Sequence, residues 1–370
     1  MSNSIQRREV LKYGLAATTL LGAGFLFPGR GHAAWTRTSL EECLSMTPEQ
    51  MAKASGEVSA SWNYLLGMAG EIRNPLIRSK VMDILDNPSP RLAAVCDQDK
   101  AAAELKTAGL LGEKKNLLPA FRKADKSLQP FWSAPGSGWT SHHAYPGGLV
   151  THTALNVRLS AAIHEYYEKT FNFALDRDVV LAAQLLHDLH KPWVFQWQKD
   201  ASSRTEETLA GTGEHHILSI AESLNQGLPA EVVVAQACAH DHPGSAKSEE
   251  SVVNWLRAAC ILVGKDPIAT GVLAPDGKTL PLPRQMEGFV THLGDHDWVL
   301  SVPAAQWLVP LLKQLASERY GLRGQDLEGA KFNAFRNYIF SQASIMRLYH
   351  IYATQGEQGL ITAVAAIVTA

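Results

Sequence analysis

Apolar residues recur at three- and four-residue spacing in segment after segment, and runs that alternate every second position are scarce. That period belongs to amphipathic helices. The chain is therefore predicted to be all-α. One segment opens at Leu149, where Leu155, Leu159, Ala162, Ile163 and Tyr166 form a stripe and His152 lies on the same face, pointing inward. The next is bounded by Asp176 and Asp178 at its start and by Pro192 at its end, and holds VVLAAQLLHDLHK, with His187 extending the stripe of Val180 and Ala183. Helices are predicted again at HHILSIAESL, after Pro229 as AEVVVAQACAH, and as SVVNWLRAACILVGKD ending at Asp266-Pro267.

On either side of this central set the pattern is also helical. Residues 40–125 hold several such segments, broken by Asn74-Pro75, Asn87-Pro88-Ser89-Pro90 and the stretch Gly109 to Gly112, and contain no histidine, as expected of a scaffold or cap. Between Gln129 and Gly148 stand Pro130, Pro135 and Pro146 with Trp132, Trp139 and Tyr145, which predicts a long aromatic loop. Residues 271–285 form a Pro- and Gly-containing connection that could include a hairpin, after which MEGFVTHLGDHDWVL and AAQWLVPLLKQLASERYGL resume the helical spacing. The terminal ITAVAAIVTA is expected to be buried, being far too short to span a bilayer. The predicted organisation is a processed segment over 1–34, a helical N-terminal scaffold over 35–130, a core over 131–270, and a C-terminal helical extension over 271–370 packed on it.

Composition narrows the function. With 370 residues, 46% of them hydrophobic and 19% charged, the chain can bury a sizeable core. A formal net charge of −2 offers no general attraction to long nucleic acid or an anionic membrane, so any phosphate site must be local. Four cysteines are too few for a disulfide scaffold; Cys43 could pair with Cys96 in an oxidising compartment, whereas Cys238 and Cys260 lie in apolar helical patterns as buried thiols. The start of the chain differs from the rest. SIQRREVLK precedes the apolar YGLAATTLLGAGFLF and small residues around Ala33 and Ala34, and Arg7-Arg8 with Val10-Leu11-Lys12 resemble a twin-arginine export signal. That resemblance implies recognition by the twin-arginine export machinery, cleavage near Ala33 or Ala34, a periplasmic location and no stable membrane anchor.

The inward polar residues are, in chain order, His152, His187-Asp188, His216, His240, His242 and Asp266, each opening or ending an apolar stripe. One such histidine would be an ordinary core residue. Together, imidazoles and carboxylates are the groups that hold zinc, manganese or iron, and successive helices can aim them at one point. Adjacent residues on a helix diverge by about 100°. His187 and Asp188 can therefore serve only ions lying between two edges of their helix. Lys191 shares the side of His187, where its ammonium could meet a phosphoryl oxygen. His142 and His143 are either a solvent-exposed loop pair or, beside Tyr145, the lining of a substrate entrance. The cluster THLGDHDW, with His292, Asp295, His296 and Asp297, is expected to be a polar helix end near the substrate mouth rather than another metal site. Trp193 and Trp197 are expected to pack rather than to stack on bases.

The order His152, His187-Asp188, Asp266 is similar to the defining pattern of the HD-domain superfamily of metal-dependent phosphohydrolases, and HDLHK resembles its HD-x-x-K segment, with His190 where glycine is common. HHAYPGGLVTHT likewise resembles the HH-x-YPGGL-x-x-HT segment of one branch of that superfamily. The resemblance covers roughly residues 140–270 and implies a helical HD bundle. It makes His152, His187, Asp188 and Asp266 the ligands of one divalent ion, with Asp188 bridging to a second held by His216 and His240, or by the neighbouring His215 and His242. AHDHPG departs from the paired His-His-Gly of the family, which leaves His240 and His242 as alternatives. The implied activity is hydrolysis of a small phosphorylated substrate by metal-activated water at two manganese, iron or zinc ions. Asp188, Lys191, His142 and His143 would take part in the chemistry, and Tyr145, His215 and Lys191 in substrate binding. The same ligand set also suits the mixed-valence di-iron oxygenases of the superfamily, and a non-catalytic metal- or ligand-binding protein is the third reading.

Overall fold

Helices form almost wherever the three-to-four spacing predicts them. The computed structural model describes residues 34–113, 116–139, 141–283 and 286–370; the export segment expected over 1–34 lies, but for its last residue, outside the described residues. The described chain opens with strand β1 (Thr38–Ser39) and helices α1 (Leu40–Ser45), α2 (Pro48–Lys53), α3 (Gly56–Gly70), α4 (Pro75–Asp86) and α5 (Gln98–Thr107). A long loop leads to α6 (Gly148–Phe171), α7 (Arg177–Leu186) and the short α8 (Lys191–Val194). Strands β2 (Thr208–Leu209) and β3 (Thr212–Gly213) then form an antiparallel pair ahead of α9 (Glu214–Asn225), α10 (Ala230–Ala237) and α11 (Ala246–Leu262). The chain continues through α12 (Glu287–Gly294), α13 (Trp298–Tyr320), α14 (Ala330–Ala343) and α15 (Ile345–Ile367) to β4 (Val368–Thr369), which pairs in parallel with β1 so that Thr38 faces Val368. Among the described residues no helix is long and apolar enough to cross a membrane.

Side chains set where these helices begin. Asn74 caps α4 by accepting from the N–H groups of Leu76 and Ile77, with Pro75 in the first turn, and Asp176 caps α7 by accepting from Asp178 and Val179. Asp178 in turn accepts from the backbone N–H groups of Arg73 and Asn74, which ties α4 to α7. Among the described residues there are two large apolar clusters and a small third one of Leu175, Val180 and Val290. Of the large two, one holds Leu65, Val81, Leu149, Leu181, Ile220, Val233 and Leu256; the other holds Met51, Tyr145, Leu308, Phe335, Leu348 and Val364. Tyr145 and Leu149 belong to different clusters, so the Pro146-Gly147-Gly148 turn between them joins the two. Cys43 is buried in the second cluster while Cys96 packs against the first, and both thiols are free, which corrects the proposed pairing.

Three local predictions are overturned. The buried stripe of α6 is His152, Asn156, Ser160 and His164, whereas Leu159 and Tyr166 are exposed, because α7 and α12 pack on the polar side of the helix. Unpaired, each buried polar group there would cost ~1–3 kcal/mol; Asn156 and Ser160 find partners in Asp295 and Gln184. Secondly, α7 stops at Leu186 rather than running to Pro192. Pro192 cannot donate and would crowd the carbonyl of residue 188 in a continuous helix, and the Leu186 carbonyl instead accepts from the Leu189 N–H at 3.1 Å and from Gln236 Nε2 at 2.8 Å. Thirdly, residues 271–283 make turns and no strand, with Asp276 accepting from the N–H groups of Lys278 and Thr279; residues 284 and 285 of that connection lie outside the described residues.

Candidate metal centre

Helix α7 ends before His187, and that residue and Asp188 sit in a tight turn in which His187 keeps right-handed helical dihedrals, φ −55° and ψ −32°. The ends of the two side chains nevertheless meet: His187 Nε2 stands 3.1 Å from Asp188 Oδ2. His152 Nε2, from α6, is also 3.1 Å from Asp188 Oδ2 and lies 3.2 Å from Asp295 Oδ1. On the other side of Asp188, His215 Nε2 approaches Oδ1 to 3.3 Å. Among the described residues three groups of donors result, His142–His143–His152–Asp297, His152–His187–Asp295 and Asp188–His215–His240, each with its ligand atoms within 4.8 Å of one another, and the last two meet at Asp188. Asp188 faces both of these, one carboxylate oxygen to each.

Asp295 reaches the centre through a close helix contact. A Cβ at Gly294, the last residue of α12, would fall 1.9 Å from Ser160 Oγ and 3.1 Å from the Asn156 carbonyl, so only glycine lets α12 approach α6 this closely. The histidine loop depends on glycine too. Gly147 takes a φ of +83°, and a Cβ at Gly148 would lie 2.0 Å from the His143 carbonyl oxygen. Arg336, buried and stacked over Trp139, donates to the carbonyl of Ala144 at 2.8 Å and holds the same loop from α14.

The rings are oriented from behind. His187 Nδ1 donates to the Gln184 carbonyl at 2.7 Å, His215 Nδ1 to Glu206 at 2.5 Å, and His152 Nδ1 to Asp297 Oδ1 at 3.0 Å. In each neutral ring that assignment leaves Nε2 as a lone-pair donor facing the centre. The fit to a cation follows from what these atoms lack. His187 Nε2, His215 Nε2 and both Asp188 oxygens are buried without a hydrogen bond of acceptable geometry. Lone pairs converging on carboxylate oxygens in a buried site demand positive charge between them, from protons or from metal.

Electrostatics agree with that demand. Burial disfavours charge on His187, yet Asp188 and Asp295 beside it push its pKa up to about 9. His215 is likewise opposed by burial and raised by Glu206 and Asp188 to about 9. Burial opposes ionisation of Asp188, but His187 and Lys191 hold its carboxyl well below the ordinary range. Lys191 Nζ lies 2.5 Å from Asp188 Oδ2. His240 behaves oppositely: burial and the charge of His215 lower it to about 3, so it stays neutral and ready to ligate.

The structure brings together His142, His143, His152, His187, Asp188, Lys191, His215 and His240, and leaves other expected residues out. Asp266 lies exposed after α11, its Oδ1 accepting from the N–H groups of Ile268 and Ala269, and Asp295 stands where it was expected. His216 points its Nε2 at the Ala237 carbonyl, 3.1 Å away, and stacks on His240, so His215 is the residue of that pair that meets Asp188. His242 accepts from the Gly244 N–H and packs on Phe289 and His292. Tyr145 is fully buried, bonded to Thr151, and lines no entrance. His143 is buried rather than exposed, with Nε2 3.4 Å from Asp297 Oδ2. His190, in the position where glycine was expected, pairs with buried Glu222 at 3.3 Å. Sequence reasoning missed Asp295 and Asp297 as inward groups and Glu206 and Asn156 altogether; the His-rich THLGDHDW was the available signal.

A cavity of about 430 Å³ opens over the centre, walled by His142, His152, Lys191, His215, His240 and Asp295 and by Phe195, Glu206, His296 and Trp298. A larger one of about 700 Å³, beside Phe121, Arg122 and Trp197, contains none of these donors, so chemistry rather than volume marks the site. No family model and no solved structure matches the chain. A dihydroneopterin 2′,3′-cyclic phosphate phosphodiesterase of Methanocaldococcus jannaschii is 25% identical over 180 residues, 48% of this chain and 59% of the relative. The chain thus spans less than two thirds of that relative's length; the similarity is to a phosphodiesterase, and this chain itself carries groups of histidines and aspartates that could hold a metal ion.

Proposed function

We propose that the protein is a metal-dependent hydrolase of phosphodiesters, built on an HD-type helical core. The observation that carries this reading is Asp188, whose two oxygens face separate donor groups while Lys191 stands beside them at the cavity wall. Two bound divalent ions would supply Lewis-acid polarisation of phosphoryl oxygens and a more acidic water. His152, His187 and Asp295 would hold one ion, His215 and His240 the other, with Asp188 shared. Lys191 places its ammonium where a phosphoryl oxygen would enter, neutralising charge that grows in the transition state. His142, on the same wall, is kept neutral by burial and by neighbouring His143 and His152, so it can donate a hydrogen bond without adding a second repelling cation. Glu206 and Asp297 fix the rings of His215 and His152, keeping Nε2 toward the ions. Export by the twin-arginine route and a periplasmic location belong to the same proposal and rest on the Arg7-Arg8 segment.

The test is metal content by plasma mass spectrometry on untagged protein, with hydrolysis of bis(p-nitrophenyl) phosphate measured before and after chelation. About two equivalents of a divalent metal, and turnover that chelation abolishes and metal restores, are expected. Iron with oxygen consumption and no phosphodiester turnover would overturn the hydrolase in favour of an oxygenase.

A further inference from the structure

Beyond the metal donors, the cavity carries an aromatic edge for which phosphoester chemistry has no use. Trp298, the first residue of α13, is 49% exposed yet forms part of the cavity wall. It does not hang loose. His292 Nδ1 donates to the Ala239 carbonyl at 2.9 Å, next to His240 of the centre, and His296 Nδ1 donates to the His292 carbonyl at 2.6 Å. The His292 and His296 rings meet edge-on at 4.5 Å between centroids, and the Trp298 ring follows at 6.0 Å and 38° to His296. Its neighbour Asp297 is pinned by His152. The indole is therefore held at the lip by the same segment that supplies Asp295.

A cavity of about 430 Å³ falls within the ~300–1,000 Å³ typical of whole small-molecule ligands, so the phosphoryl group occupies only its floor. The rest must take what the phosphate is attached to. A half-exposed indole offers a flat apolar face that any planar ring can cover, worth a sequence-tolerant stacking contact. We propose that Trp298 is a stacking platform for a planar heteroaromatic group, making the substrate class nucleoside-like phosphoesters rather than phosphorylated sugars or polyols. This rests on the hydrolase reading for the floor of the site.

The test compares the metal-loaded full chain with Trp298→Ala and Trp298→Phe, using adenosine 2′-phosphate and glycerol 2-phosphate as binding probes by calorimetry and adenosine 2′,3′-cyclic phosphate for turnover. In Trp298→Ala, the adenosine ligand should bind about 10-fold more weakly. Phenylalanine should restore most of the loss, and the glycerol ligand should bind the three proteins alike. Equal weakening of both ligands, no change for adenosine 2′-phosphate, or no binding of it by the unaltered protein would each overturn the platform. Adenosine binding that depends on Trp298 without any turnover would instead uphold the platform and remove the hydrolase.

Discussion

The carboxylate that meets His152 and His187 belongs to Asp295, not Asp266, and single substitutions separate the two. Asp295→Asn should lose metal and turnover together. Asp266→Asn should keep both, with stability changed by no more than ~0.5 kcal/mol, because the side chain is exposed and Oδ1 can still accept from Ile268 and Ala269. Loss of metal from Asp266→Asn would refute this assignment. Asp297 acts one layer back, on His152 Nδ1. Asp297→Asn should therefore lower metal affinity or turnover by ~10–100-fold while leaving the fold melting as one unit; a competitive chelator titration measures it. Why the sequence pointed to Asp266 is physical. Both aspartates follow an apolar helix, but the αL turn at Gly264 precedes a carboxylate directed at its own backbone, whereas Gly294 lets Asp295 approach α6. Approach distance between helices is not a property of either segment alone.

At the level of elements, histidines at the ends of apolar stripes identified α6, α7 and α9 as the carriers of the site, and helix type was legible from period throughout. Orientation was less so. On α6 the longest apolar stripe faces outward and a polar stripe faces in, since the polar residues find partners on α7 and α12. The break after Leu186 was equally hidden: Pro192 announces a helix end, but the early stop is a turn in which the Leu186 carbonyl accepts from the Leu189 N–H, with Gln236 from α10 adding a second bond to it. The turn ahead of α6 makes a sharper prediction. Gly148→Ala would drive a methyl group into the His143 carbonyl, displacing His142 and His143 or costing ~1–3 kcal/mol in strain. Its melting temperature should fall and its kcat with it; an unaltered enzyme would show that this turn does not position the loop.

For the molecule as a whole, the protons on His187 and His215 link stability to metal. Without metal, the folded rings keep their protons up to about pH 9, while unfolded ones release them near the ordinary 6.5. Their stabilising contribution is complete below about 6.5 and is lost as the pH rises to about 9. Metal holds those rings deprotonated, and above about 6.5 the unfolded rings are deprotonated as well, so the stability of the metal-loaded fold should stay level over the same interval. Melting temperatures recorded between these two pH values should fall with pH in the chelated protein and stay level in the metal-loaded one, and parallel slopes would count against His187 and His215 as ligands.

The pairing of β1 with β4 sets Thr38 directly across from Val368, and adjacent strands lie only ~4.8 Å apart. Because the two strands run parallel, a linker of about a dozen glycines and serines would be needed to return from Ala370 to Trp35, and the chain could be reopened in the exposed turn around Asp276, on the far side of the sequence from that junction. Such a circular permutant would make the THLGDHDW segment the early part of a newly ordered polypeptide and the HDLHK segment its late part, yet the centre should assemble unchanged. The site would then be shown to depend on how its helices pack and not on the order in which they are joined.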